Sequence, residues 1–171
     1  AALVTFQRTI ARGGFGSDAL SFSLEAKSRK FAPVGVRDLF NPYSLTVGAG
    51  YSTTFGPGLY GALDARYSRG RDEEPDVTSA RATLGWNISP RLNFAGDLTY
   101  ERDRRGERFG TFLSLTYRFD RGSSVRADFD SRQDRARLSY QTFGGAGMNA
   151  YSLSADIEHS DIGAGASINA N

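Results

Sequence analysis

Polar and apolar side chains alternate one by one along almost the whole chain, and no stretch carries a sustained helical period. Successive side chains on an extended strand point to opposite sides, so strict alternation means strands with one apolar and one polar face. In "DALSFSLEAKS", Leu20, Phe22, Leu24 and Ala26 lie on one side and Ser21, Ser23, Glu25 and Lys27 on the other. "SARATLGWNIS" sets Ala80, Ala82, Leu84, Trp86 and Ile88 against Arg81, Thr83 and Asn87. "TFLSLTYRFD" sets Leu113, Leu115, Tyr117 and Phe119 against Ser114, Thr116, Arg118 and Asp120, and "SSVRADFD" sets Val125, Ala127 and Phe129 against Arg126, Asp128 and Asp130. The same rhythm runs through "SLTVGAGYSTTF", "GLYGALDARYSRG", "RLNFAGDLTYERD", "RARLSYQT" and "AYSLSADIEHS". The chain is therefore expected to be all-β, with about eleven to twelve strands of roughly ten residues, long enough to cross a bilayer at a tilt.

The connections sort by length as well. "FGPG", "ISPR" and "DRGSS" read as tight turns, whereas "RGRDEEPDV" and "ERDRRGERFG" read as longer charged loops. Short and long alternate between Phe55 and Ser124, which predicts an up-and-down meander with its short turns at one end. Lys30 to Ser44 is the one irregular connection, because Pro33 and Pro42 oppose a strand through it.

Two architectures share this pattern. In a soluble sandwich the apolar faces pack on each other; in a transmembrane barrel they meet lipid while the charged faces line a wet lumen. Hydrophobic residues make up only 39% and mean hydropathy is -0.42, so the composition does not advertise a large apolar core. The apolar positions mix Ala and Gly with Leu, a size variation to which lipid is indifferent and a close-packed core is not. Aromatic residues at Tyr67, Trp86, Phe94, Tyr100, Tyr117, Phe119, Phe129 and Tyr140 sit near predicted strand ends, as membrane-interface girdles require. Mid-depth Arg or Lys on a lipid face would cost about 2–4 kcal/mol each, so charges such as Arg126, Asp128, Asp130, Arg132 and Arg137 belong on the lumen side. The expected architecture is a transmembrane antiparallel up-and-down β-barrel, or part of one, spanning residues 1–171 as a single domain. The pattern breaks off in "GAGASINAN", from which a continuation into a larger barrel is expected.

Other classes fit less well. Twenty-one basic residues face nineteen acidic ones for a net charge of +2, a balance that argues against a nucleic-acid partner. No cysteine is available for disulfides or thiolate metal sites. The single histidine, His159, adjoins Ser160 and Asp161, but neighbours on a strand or turn point apart and make no ready triad. Asp72, Glu73, Glu74 and Asp76 lack the spacing of a calcium loop and are interrupted by Pro75. "ARGGFGSDAL" has glycines but no following lysine or helix, so it reads as a turn and not as a phosphate cradle. "RDRRGER" is a charged loop that would meet lipopolysaccharide phosphates if it lay on the outer surface. The chain is expected to be non-enzymatic and to need no cofactor or metal.

The segments "TFLSLTYRFDRGSSVRADFDSRQDRARLSYQT" and "NAYSLSADIEHSDIGAGASINAN" resemble the barrel of fimbrial outer-membrane ushers. The shared shape is an aliphatic strand, a hairpin, a strand of self-complementary charges, an "LSYQ" strand, then "YSLSAD" and a Gly/Ala strand. The resemblance covers about a third of the chain; the upstream alternation is common to outer-membrane barrels generally. It implies location in the bacterial outer membrane, contact with its lipid and lipopolysaccharide, and a pore through which chaperone-delivered pilus subunits leave the cell. It also implies a lumen-lining role for Arg81, Asp97, Arg118, Arg126, Asp128, Asp130, Arg137, Asp156 and Glu158. The family's plug and periplasmic domains have no counterpart in these residues. A small self-contained barrel (porin-like, structural or adhesive), a barrel hydrolase using His159 and a soluble sandwich are the alternatives.

Overall fold

The computed structural model describes residues 1–13, 16–28, 42–119, 122–145 and 150–170 of the 171. Eleven strands follow one another: β1 (Ala2–Arg12), β2 (Gly16–Ala26), β3 (Tyr43–Gly56), β4 (Leu59–Gly70), β5 (Val77–Ser89), β6 (Leu92–Asp103), β7 (Gly106–Arg118), β8 (Ser123–Asp130), β9 (Arg135–Gly144), β10 (Tyr151–Ser160) and β11 (Gly163–Ala170). Each strand is hydrogen-bonded to its sequence neighbours in a single antiparallel sheet ordered β1 to β11. The chain is an all-β up-and-down meander, the arrangement of a barrel wall, and its strand order is not closed because β1 and β11 are its two ends. By contact density it divides into two compact units, Ala1–Thr83 with Thr99–Phe109, and Leu84–Leu98 with Gly110–Asn171.

Local chemistry explains the turns. Gly58 at φ 81° closes the β3–β4 link at Pro57–Gly58, a left-handed position that glycine adopts without a Cβ penalty. The β6–β7 link corrects the sequence expectation. "ERDRRGERFG" is not a long loop: its residues continue both strands and leave only Arg104 and Arg105 in the turn. Asp103 Oδ1 accepts the Arg105 amide at 2.7 Å and Gly106 takes φ 108°. Arg108 reaches Asp103 at 2.5 Å and Glu101 at 3.3 Å, Arg102 reaches Glu107 at 3.6 Å, and the Tyr100 and Phe109 rings meet at 4.8 Å. Opposite charges brought face to face across a hairpin support the pairing, so a run that reads as solvated loop is strand. The expected sorting of short and long connections therefore fails, since the β5–β6 and β6–β7 links are both two residues long. Most of the irregular segment Lys30 to Ser44 lies outside the described residues.

The longer β4–β5 connection is folded back on the first unit. Arg71 donates its amide to Pro42 O at 2.9 Å and its guanidinium to Lys27 O. Asp76 accepts the Tyr67 hydroxyl at 2.5 Å and the Gly70 amide at 2.8 Å. These two donors hold the Asp76 carboxyl below the ordinary carboxylate range, the Tyr67 hydroxyl having the larger effect. Such a group stabilises the fold fully above its unfolded value of about 3.9 and loses that contribution as pH falls through the lower folded value. Amide exchange, corrected for intrinsic rates, should show Gly70 equally protected at pH 7 and pH 5 and progressively opened below about pH 4. Unchanged protection down to pH 2 would contradict the assignment.

Among the described residues no apolar side chain is buried, and the only buried polar ones are Thr53, Ser68 and Ser114. The sheet therefore has an apolar face without a core behind it. On that face aromatic rings lie over glycines: Phe55 over Gly61, Phe94 over Gly96 and Tyr151 over Gly144, where an added Cβ would meet the ring at 3.1, 3.3 and 2.8 Å. The ring covers backbone that glycine leaves bare.

Candidate functional site: a charged strand face

The strongest concentration of polar chemistry is in the second unit, on one face of β7–β10. Register builds it row by row. Arg118, Ser124, Gln141 and Ser154 stand side by side across the four strands; next come Thr116, Arg126, Ser139 and Asp156, then Ser114, Asp128, Arg137 and Glu158, then Phe112, Asp130 and Arg135. Residues directly opposite each other share a face, so the alternation seen in each segment becomes one continuous polar surface. A groove of about 740 Å³ lies along it.

The groove is lined by both signs, Arg118, Arg126, Arg135 and Arg137 with Asp128, Asp130 and Asp156, and Glu158 stands beside Arg135. Asp156 is the hub. Its Oδ1 accepts Arg137 Nη2 at 2.7 Å, Arg137 Nε at 3.2 Å and the Ser139 hydroxyl at 2.7 Å. Arg126 Nε donates to Asp128 at 2.8 Å along the same strand, and Arg135 lies 3.9 Å from Glu158. Exposed pairs of this kind contribute little individually and are screened by salt. Asp156→Ala is accordingly expected to lower the heat-modification temperature by roughly 2–4 °C, with most of the difference gone in about 1 M salt. A variant indistinguishable from wild type at low salt would remove Asp156 from the hub role.

The reverse face of the same strands is aliphatic. Leu115, Ala127, Leu138, Ile157 and Ala166 form one row and Tyr117, Val125, Tyr140, Ala155 and Ile168 the next. These side chains are open: Leu115 is 44% exposed, Leu138 48% and Ile157 59%.

Seven of the nine residues to which the resemblance gives a wall role come together here: Arg118, Arg126, Asp128, Asp130, Arg137, Asp156 and Glu158. Arg81 on β5 and Asp97 on β6 are outside the groove, and each is engaged by a neighbour. Arg132 is corrected: it sits in the β8–β9 turn, its amide bonded to Asp130 Oδ1 at 2.9 Å, because Asp130 and the Ser131 amide's bond to Thr111 O end the strand. Arg135, Ser154 and Thr116 belong to the groove and were not singled out. For Arg135 the signal was its parity with Arg137, hidden by the unmarked start of β9.

The aromatic residues also divide. Trp86, Phe94, Tyr117 and Phe129 lie near strand ends. Tyr67 bonds Asp76, Tyr100 meets Phe109 at a tilt, and Phe119 is one residue past β7, its ring edge-on to Tyr117 at 5.0 Å. Tyr140 departs from the expected strand-end position: it is mid-strand on β9, between Val125 and Ala155 and in the same row as Tyr117. His159 shares the apolar face, opposite Ala136 and Ala164, whereas Ser160 points the other way and donates to Gly163 O at 3.2 Å. Strand geometry turns the His159 and Ser160 side chains to opposite faces, so these two neighbours do not meet.

Comparison with protein-family models, with curated proteins and with solved structures gives no match for this chain.

Proposed function

We propose that this chain forms the wall of a bacterial outer-membrane β-barrel pore of the fimbrial usher type, through which chaperone-delivered pilus subunits cross. The observation that carries the membrane part is the two-faced sheet of β7–β10, with a charged groove on one side and uncovered aliphatics on the other. Soluble sheets bury their apolar face; a sheet with no apolar side chain buried among the described residues suits lipid. The usher part rests on the resemblance of the segments from Thr111 onward. A wall of internally paired charges presents neither a large apolar patch nor a field of one sign, so it would let a folded protein pass without holding it. The reading is non-enzymatic, with lipid and lipopolysaccharide outside and the subunit complex inside.

Refolding the full chain into detergent micelles, and separately into plain buffer, tests it. Far-UV circular dichroism and heat-modifiable gel migration should show β-structure with micelles and not without. Monomeric β-structure in plain buffer would mean that the apolar faces cover each other, and the membrane reading would fall. A steady single-channel conductance from this chain alone would favour a self-contained porin-like barrel over a section of usher wall.

A further inference from the structure

On β1 an arginine stands where the two-faced pattern calls for an aliphatic residue. Register with β2 pairs Val4 with Leu24, Phe6 with Phe22, Arg8 with Leu20 and Ile10 with Asp18, so Arg8 belongs to the apolar face. Its flanking neighbours on that face are open, Phe6 at 48%, Ile10 at 46% and Leu20 at 47% exposure. Nearer the hairpin a second arginine, Arg12, is already satisfied. Asp18 takes Arg12 Nε at 2.6 Å, the Thr53 hydroxyl at 2.6 Å and the Tyr51 hydroxyl at 3.2 Å. With its oxygens committed to three donors, Asp18 has little left for Arg8, and among the described residues no carboxylate or other acceptor engages the Arg8 guanidinium. Arg8, Arg12 and Asp18 together carry one net positive charge at the rim of an apolar band.

A guanidinium in contact with acyl chains needs an anion, and a long side chain can send its head towards the polar rim while its stem stays on apolar surface. Phosphate suits it, because the planar fork presents paired N–H groups to two oxygens at once. We propose that the outward face of β1 and β2 binds an anionic phospholipid, its phosphate on Arg8 at the Arg12–Asp18–Tyr51 rim and its acyl chains along Phe6, Leu20 and Phe22. The inference rests on the membrane-barrel reading and adds to it a specific lipid site on the first unit. The occupant is a lipid and not free phosphate, since a single exposed guanidinium offers the ion alone little, whereas the adjacent apolar strip adds acyl burial.

The test is native mass spectrometry of the full chain refolded in a neutral detergent and titrated with phosphatidic acid, phosphatidylcholine or inorganic phosphate. Wild type should retain phosphatidic acid in preference to phosphatidylcholine and retain no inorganic phosphate. Arg8→Gln should weaken phosphatidic acid retention about fivefold, the loss of one basic contact to an anionic lipid surface. Arg66→Gln, the same charge change on the opposite, polar face of the sheet, should leave it unchanged. Equal retention by wild type and Arg8→Gln, or an equal loss in Arg66→Gln, would overturn the site, as would retention of inorganic phosphate as strong as that of the lipid. Circular dichroism on the same samples separates the two failures. A folded β-species in detergent without lipid preference removes this site only, and a chain that folds only in plain buffer removes the barrel reading and the site together.

Discussion

Leu138→Arg should lower the stability of the vesicle-inserted protein by about 2–4 kcal/mol, whereas Gln141→Arg on the same strand should cost less than about 1 kcal/mol. Leu138 is mid-strand on β9, flanked across the sheet by Ala127 and Ile157, and 48% exposed. In water such an open position would accept arginine nearly without penalty, because surface substitutions usually lie within about 0.5 kcal/mol. In lipid the guanidinium must be desolvated or must drag water inward, and mid-depth leaves the longest reach to the interface. Gln141 is on the other face between Ser124 and Ser154, where the groove supplies water. Denaturant titration from vesicles measures both variants. Equal costs would show that the two faces see the same environment.

Gly70→Ala should destabilise the first unit by about 1–3 kcal/mol, the range for forcing an extra methyl into occupied space. A Cβ at Gly70 would overlap the Glu74 carbonyl oxygen and come within 2.6 Å of its carbon and 2.8 Å of Pro75 O. Those obstacles are backbone, so no rotamer change relieves them, and the β4–β5 connection itself must move. Moving it breaks the Gly70 amide bond to Asp76, and with it the Tyr67 hydroxyl's partner. By contrast a Cβ at Gly50 meets only the Ser21 hydroxyl at 2.7 Å and Asp64 Oδ1 at 2.8 Å, side-chain ends that can rotate away. Gly50→Ala should therefore cost clearly less in the same denaturant titration. If the two variants unfold alike, the close fit at Gly70 is not what anchors the connection.

Much of the polar wall was legible because a period of two assigns each side chain to a face without knowledge of its partners. Arg126, Asp128, Arg137 and Asp156 were placed on one face by parity alone, and register then aligned them. Parity says nothing about where a strand stops. "ERDRRGERFG" looked like loop because charge density is a correlate of loops, while the cross-strand partners that make it strand, Arg108 with Glu101 and Asp103, exist only once the hairpin is closed. Tyr140 is mid-strand and not at a strand end for the same reason: its position along the strand depends on where β9 begins and ends.

The order of side chains along the chain determined the all-β class, the two faces and their polarity, because backbone geometry imposes alternation on any extended strand. Only the tertiary structure decided which charges meet. Asp156 holds Arg137 and not Asp128's neighbour Arg126, Asp18 is spent on Arg12, Thr53 and Tyr51, and Arg8 is left over. Such partnerships are set by register, and register is a relation between strands that a one-residue slip would reverse.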